Sequence, residues 1–447
     1  MYKNMKIYIL GMGKSGKAAS KILCENNKVL LTDIKDDDEK DELRKLGIDV
    51  IITDKQEDLL DNTFDLVIKN PGVKPDNKVV LKAKKLKIPI INEMEVAYNL
   101  LPKDVKIIGI TGSNGKTTTT SITYEILKNA SLNVHLGGNI GIPLCSILKD
   151  IKENDILVLE VSSHQLVDLD KFKTNISAIT NFSEVHLDMF GTYDNYKTNK
   201  LNIFKHHIKK DIAIINGKDQ DLVSYTKNIP STKLYFNSQQ YSDCYIKNNK
   251  IYYKEQFIID LDDIKLKGMH NYENAMIAIM IAKEFGVSND IIIKTLNSFG
   301  GVEHRMEFVA KINDREFYND SKATNNKSTI VALSAFKNPV ILLLGGLDRG
   351  QSFDELDGHT DYVKEVICYG QTKEKIKDYC TKRNIKVNVL NTLSEATKYA
   401  YEISTKGDTI LFSPACASWD QYVSFEQRGN EFKQIVKEIK TIWETYI

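Results

Sequence analysis

Short apolar runs of four to eight residues, each followed by an amphipathic stretch, recur along the chain and predict strands and helices in alternation. The runs Lys6–Leu10, Val29–Asp33, Leu66–Lys69 and Ile88–Ile91 read as strands. This group closes with a predicted helix over Glu93–Leu101, and Pro102 is its breaker. A second group opens with Val105–Ile110 and continues through Ile156–Val161, Ile176–Asn181 and Ile212–Asn216. It adds a hairpin-like stretch around Tyr245–Tyr253 and a helix over Asn271–Phe285 that stops at Gly286. After Gly300-Gly301, buried strands are predicted at Val340–Leu344 and Thr409–Phe412, with a terminal amphipathic helix over Phe425–Trp443. The pattern describes an α/β chain of three units, 1–103, 104–302 and 303–447, and parallel, doubly wound sheets are expected throughout.

Length agrees, because 447 residues is too long for a single core. Charge narrows the partners: 61 lysines and arginines nearly cancel 60 aspartates and glutamates, which leaves no overall positive field for nucleic acid or an anionic membrane. No segment approaches the roughly 20 apolar residues of a membrane span, so a cytoplasmic protein is expected. Cys24, Cys145, Cys244, Cys368, Cys380 and Cys416 form no CxxC pair, which favours reduced, mostly buried thiols over a zinc site or a disulfide framework.

Candidate chemistry concentrates at residues 109–120, GITGSNGKTTTT, a glycine-rich loop between a strand and a helix. Gly112, Ser113, Asn114 and Gly115 can turn backbone amides toward phosphates, with Lys116 as the cation, Thr117 as a magnesium hydroxyl and Thr118 behind it. ATP is the expected ligand. The strict P-loop pattern wants a glycine six residues before the lysine, where Ile110 stands, so a serine- and glycine-rich turn before a helix is the competing reading. Gly11-Met12-Gly13-Lys14-Ser15-Gly16, with Asp33 ending the next strand, matches the Rossmann dinucleotide fingerprint. Read alone, it suits a nicotinamide cofactor or another phosphate-bearing ligand equally. Beside a second, lysine-bearing phosphate loop, it favours an ATP-driven enzyme acting on a nucleotide-linked substrate. Glu160, at the carboxyl end of DILVLEV, is placed for Mg²⁺ or, alternatively, for capping a helix. Spacing gives His186 only weak metal character, and unaided it reads Lys200 as a solvated helix lysine.

Together GITGSNGKTT, GGNIG, EVSSHQL, NFSEVHLD, GMHNYENA, EHRME, NDSKATN and LLLGG, in this order, resemble the Mur ligases of peptidoglycan synthesis. NDSKATN at 319–325, LFSPACASWDQY at 411–422 and FEQRGNEF at 425–432 are most similar to the D-glutamate-adding members. The resemblance implies a Rossmann-like N-terminal domain, a P-loop-type central ATPase domain and a Rossmann-like C-terminal domain. It further implies that ATP phosphorylates the alanyl carboxylate of UDP-MurNAc-L-alanine, and that the amine of D-glutamate attacks the acyl phosphate, releasing ADP and phosphate.

Residue by residue, the resemblance assigns Lys116, Glu160, His186 and Lys200 to catalysis, with Thr117, Glu160, His186 and a carbamate on Lys200 supporting two Mg²⁺ ions. Asn271, Arg305 and Asp320 join the phosphate loop around ATP, and His304 stands beside Arg305 in a pair that could equally be a surface ion pair. Lys14, Ser15, Asp33, Lys35, Asn70, Gly72, Asn139, Gln165 and His186 face the UDP substrate. Lys322, Thr324, Ser418 and Phe425 would hold D-glutamate, with Arg349 where some relatives carry a lysine. A monomer with small-molecule substrates is expected. A nicotinamide oxidoreductase and a non-enzymatic nucleotide-binding regulator leave NDSKATN unexplained; sibling ligases are the nearer alternatives.

Overall fold

The protein, described by a computed structural model over residues 2–140, 142–183, 187–237 and 242–445, divides into two compact units, Met1–Phe299 and Gly300–Ile447. The first unit holds two sheets. In the first, β1 (Lys6–Leu10), β2 (Lys28–Asp33), β3 (Asp49–Ile52), β4 (Leu66–Lys69) and β5 (Ile90–Ile91) lie in the order β3-β2-β1-β4-β5, all parallel. Helix α1 (Lys14–Leu23) follows the glycine loop.

The second sheet contains β6 (Lys106–Thr111), β7 (Val134–Gly138), β8 (Ile156–Glu160), β9 (Ile176–Ile179) and β10 (Ile212–Asn216). It continues with β11 (Thr232–Phe236), β12 (Cys244–Lys247), β13 (Lys250–Tyr253) and β14 (Gln256–Asp260), in the order β14-β13-β12-β11-β10-β9-β6-β8-β7. The second unit carries β15 (Glu307–Ile312), β16 (Arg315–Asn319), β17 (Val340–Gly345), β18 (Val363–Tyr369), β19 (Val387–Val389) and β20 (Thr409–Phe412), in the order β15-β16-β20-β17-β18-β19.

The expectation of parallel sheets throughout is corrected at two edges. β12, β13 and β14 pair antiparallel, as do β15 and β16. Turns of two residues join these strands, and so short a connection permits only antiparallel neighbours.

The two sheets of the first unit share one apolar core, which runs from Ile7 and Leu31 through Met94 and Val96 to Leu159 and Ile215. Helix α2 (Glu93–Leu100) is the joint. Its N-cap Asn92 accepts from Glu95 N–H at 3.2 Å and donates to the carbonyl of Gln165. The buried Glu95 carboxylate accepts the N–H groups of Asp170, Lys171 and Phe172 at 3.0, 2.9 and 3.0 Å. Lys69, at the end of β4, pairs with Asp168 at 2.8 Å. The backbone donors of residues 170–172 are satisfied by the Glu95 carboxylate.

Helix α3 (Lys116–Asn129) packs against α5 (Met269–Glu284), with α4 (Tyr193–Lys200) between them in the chain. Every residue of α5 from Asn274 to Ala282 is buried, so this helix is apolar on all sides and forms the middle of a core. The second unit has its own apolar clusters and ends in α6 (Phe425–Thr445). Among the described residues, no helix is long and apolar enough to cross a membrane. The six cysteines are free, and five are buried.

Candidate active site

The phosphate loop leaves β6 and enters α3 through Gly112-Ser113-Asn114-Gly115. Gly112 has φ +146°, and a Cβ there would lie 1.9 Å from Thr180 Oγ1, so the turn requires glycine on both counts. The chain after β9 braces the loop: Ser113 N–H donates to Asn181 O and Asn114 N–H to Asn181 Oδ1, each at 3.0 Å. Lys116 folds back to donate from Nζ to the carbonyls of Gly112 and Ser113, both at 2.9 Å.

Glu160 ends β8, in register with Ile110 of β6 and Gly138 of β7, at the carboxyl edge where open α/β sheets gather ligands. It is buried, and each oxygen has one donor, Thr117 Oγ1 and Asn139 Nδ2, both at 2.6 Å. The helix-capping alternative does not describe these contacts. Among the described residues, no three of His, Cys, Asp and Glu gather to hold a metal. An oxygen set of Thr117 and Glu160 fits Mg²⁺, a hard cation that takes one or two protein ligands and completes its shell from phosphates and water.

Lys200, at the end of α4, is not a solvated lysine: it is 1% exposed. Its Nζ donates to Gly112 O at 2.9 Å and to Thr111 Oγ1 at 3.3 Å, and lies 4.9 Å from the centre of the Tyr196 ring. Burial, and then the positive charge of Lys116, hold its pKa well below the ordinary lysine range, with Glu160 opposing. Two lysines thus converge on one carbonyl beside one carboxylate.

These groups open onto a pocket of about 350 Å³ whose walls include Gly72, Lys116, Asn139, His164, Tyr196 and Lys200. Gln165 is buried, and its Oε1 accepts from the N–H and the hydroxyl of Ser162, both at 2.9 Å, so here it shapes the wall. Asn271 accepts at 3.4 Å from Asn274, which receives Thr119 Oγ1 at 3.0 Å and so touches the phosphate-loop helix. His186 lies outside the described residues. Sequence reasoning passed over Tyr196 and Asn274. The spacings from Tyr196 to Lys200 and from Asn271 to Asn274, four and three residues on helices, were the available signals.

Around the first sheet, Asp33 accepts Met12 N–H at 2.6 Å on one oxygen, and Ile34 and Lys35 N–H at 2.7 and 3.0 Å on the other. Its carboxylate thereby fixes the glycine loop. A Cβ at Gly16 would meet Gly11 O at 2.0 Å, and Asn70 packs against Gly11 and Gly13. Lys14 and Lys35 are exposed and Ser15 half-buried at the start of α1. These residues cluster at the carboxyl edge of the sheet, and the two that follow Asn70, Pro71 and Gly72, line the 350 Å³ pocket.

In the second unit, Asp320 follows β16, and its oxygens accept Met306 N–H at 3.1 Å and Ser413 Oγ–H at 2.7 Å. Burial pushes its pKa up to about 7, against the lowering by Arg305. His304 is no surface residue: it is 3% exposed, its Nδ1 is 3.0 Å from Asn319 Nδ2, and burial lowers its pKa. Arg305 itself is exposed. Lys322 Nζ sits 5.8 Å from the centre of the Phe425 ring, and Thr324, two residues on, is half-buried. The fully buried Arg428, unnoticed in the sequence, holds this loop by donating to Ser321 Oγ at 3.1 Å and Ser321 O at 2.8 Å. Ser418 is buried after β20, and Arg349 is exposed after β17.

The Mur ligase middle domain family matches residues 110–282, and the Mur ligase glutamate ligase domain family matches residues 304–416. A protein of Bacillus thuringiensis (strain Al Hakam), "UDP-N-acetylmuramoylalanine--D-glutamate ligase", is 42% identical over 445 residues, 98% of each chain. The protein so named in Bacillus mycoides (strain KBAB4) is 42% identical over 449 residues, again 98% of each. Among solved structures, the UDP-N-acetylmuramate-alanine ligase MurC of Thermotoga maritima aligns with a TM-score of 0.58 at 20% identity, covering 98% of this chain and 100% of that one. MurF ligase from the same organism, in complex with ADP, gives 0.55 at 18%, covering 98% and 96%. At these identities the structural likeness speaks for the fold alone.

Proposed function

This chain belongs to the Mur ligase family, and from that premise we propose that it is an ATP-dependent ligase joining D-glutamate to UDP-N-acetylmuramoyl-L-alanine in peptidoglycan precursor synthesis. The observation that carries the reading is the convergence of Lys116 and Lys200 on Gly112 O beside a Glu160 carboxylate held by Thr117 and Asn139. Three domains, 1–103, 104–302 and 303–447, divide the work among uridine nucleotide, ATP and amino acid. The presence of one sheet in each supports that division.

A carboxylate is a poor electrophile, because its charge repels nucleophiles and oxide does not leave. An alanyl carboxylate oxygen attacks the γ-phosphorus of ATP and ADP departs. The amine of D-glutamate then adds to the acyl phosphate, and the tetrahedral adduct collapses to the amide with loss of phosphate. Both partners of the first step are anions, so Lys116 and the amides of residues 112–115 neutralise charge as it is transferred. Mg²⁺ bound through Thr117 and Glu160, with His186 from the resemblance, would supply further charge stabilisation at the phosphates. The depressed pKa of Lys200 favours the free amine that carbon dioxide needs in order to form a carbamate, whose oxygens suit a second Mg²⁺.

Asn271, Arg305 and Asp320 are the ATP contacts, Asn139 and Gln165 face the sugar-peptide portion, and Lys14, Ser15, Asp33, Lys35, Asn70 and Gly72 serve the uridine diphosphate. Lys322, Thr324, Arg349, Ser418 and Phe425 receive D-glutamate. A monomer acting in the cytoplasm, where nucleotide-linked precursors and ATP occur together, completes the reading. Incubation with ATP, Mg²⁺, UDP-MurNAc-L-alanine and a panel of amino acids tests it by phosphate release and product mass. Product with D-glutamate alone is expected, and turnover with a different acceptor would move the chain to a sibling ligase.

A further inference from the structure

Arg349 and Trp419 lie on separate loops of the second unit, after β17 and after β20, and their side chains meet with the guanidinium carbon 4.6 Å from the centre of the indole ring. Trp419 is 63% exposed, an unusual position for the largest apolar side chain. The backbone beneath the pair is tightly braced. Leu347 N–H donates to Ala417 O at 2.9 Å, and Gly346 approaches Ala417 too closely for any Cβ. Gln351 accepts Arg349 N–H at 2.9 Å and donates to Cys416 Sγ at 3.2 Å, while Asp348 accepts Gly350 N–H at 2.8 Å and pairs with Lys375 at 2.7 Å. On the other loop, Asp420 accepts Gln371 N–H at 3.1 Å. Two side chains therefore project from fixed loops and touch each other. Among the described residues, no carboxylate pairs with Arg349.

A guanidinium lying over a ring keeps its N–H edges in plane and available, and that edge grips a carboxylate with two parallel bonds. An ammonium at this place would have no such edge. Trp419 directly follows the buried Ser418. We propose that Trp419 is a positioning residue for the incoming amino acid: its indole holds the Arg349 guanidinium flat, so that the outer edge of the fork receives a carboxylate of the acceptor. This rests on the ligase reading above, and specifically on Arg349 as a D-glutamate contact.

The test is a double-mutant cycle in the full-length protein, with KM for D-glutamate, KM for ATP, KM for the UDP substrate and kcat measured separately. Trp419→Leu is expected to raise KM for D-glutamate about two- to fivefold, the size of an exposed cation–π contact, with the other three constants unchanged. Arg349→Lys is expected to raise it as well, and Trp419→Leu in that background to add nothing further, because the planar partner is already gone. An unchanged KM in Trp419→Leu, the same fold-change in both backgrounds, or a rise in all three KM values together with a fall in kcat would overturn the proposal. Absence of D-glutamate turnover by the unaltered protein would instead strike the ligase reading, so the two failures are separable.

Discussion

Lys200 shows how far a single residue's meaning depends on where the chain delivers it. In the sequence it is one lysine among many; in the fold it is buried, 2.9 Å from the carbonyl that also receives Lys116. Lys200→Met keeps the aliphatic stem and removes the amine, and is expected to lower phosphate release about 100-fold or more, the scale of losing one preorganised charge group. With ¹³C-labelled bicarbonate, the unaltered protein is expected to show a carbamate signal in NMR that this variant lacks. Retention of both rate and signal in the variant would remove Lys200 from the chemistry. The place of Glu160 at the carboxyl end of β8 was legible in advance, because the apolar run before it reads as a buried strand. Tyr196 was not: its hydroxyl meets Ser113 Oγ at 2.8 Å across 83 residues of chain.

At the scale of elements, α2 ties the first two sheets together by caps and carboxylates rather than by helix-on-helix packing alone. Glu95→Ala would strand three backbone donors, and at about 1 kcal/mol or more apiece the first unit should lose about 3 kcal/mol in urea unfolding. A loss below 1 kcal/mol would show that the clamp is dispensable. Glu93, two residues earlier, accepts Cys145 N–H, and burial pushes its pKa up to about 7. A carboxyl raised in the fold keeps a proton that the unfolded chain has released, so its contribution declines as pH rises from about 4.5 through 7. Glu93→Gln cannot ionise, so wild-type stability should fall relative to the variant across that window; parallel curves would contradict the assignment.

Turn chemistry separates two neighbouring hairpins of the second sheet in how legible they were. The β12–β13 hairpin turns on Asn248 and Asn249, with φ of +50° and +60°, and asparagine advertises the left-handed region. The β13–β14 turn uses Lys254 and Glu255 at +46° and +66°, residues that carry no such signal, and β14 was accordingly not expected. The clamp from Glu95 to residues 170–172 was illegible for another reason, since it joins segments 75 residues apart and has no local pattern.

Across the whole molecule, the apolar clusters draw the boundaries. Those of the second unit contain only residues beyond 300, whereas the largest cluster of the first unit draws on both of its sheets. Residues 300–447 expressed alone are therefore expected to unfold cooperatively in a calorimetric scan, and residues 1–103 alone are not, since the part of their core that packs in one cluster with residues 107–222 would face water. A cooperative transition in the shorter fragment would show the first domain to be self-sufficient.

The central claim is that the site around Lys116, Thr117, Glu160 and Lys200 activates a substrate carboxylate by phosphorylation. It is tested most directly with UDP-MurNAc-L-alanine carrying ¹⁸O in its alanyl carboxylate, turned over with ATP and D-glutamate, and mass analysis of the phosphate released. One ¹⁸O atom per phosphate is the predicted result, because the oxygen that attacks the γ-phosphorus leaves with it when the amide forms. Unlabelled phosphate accompanying amide product would contradict the acyl-phosphate route.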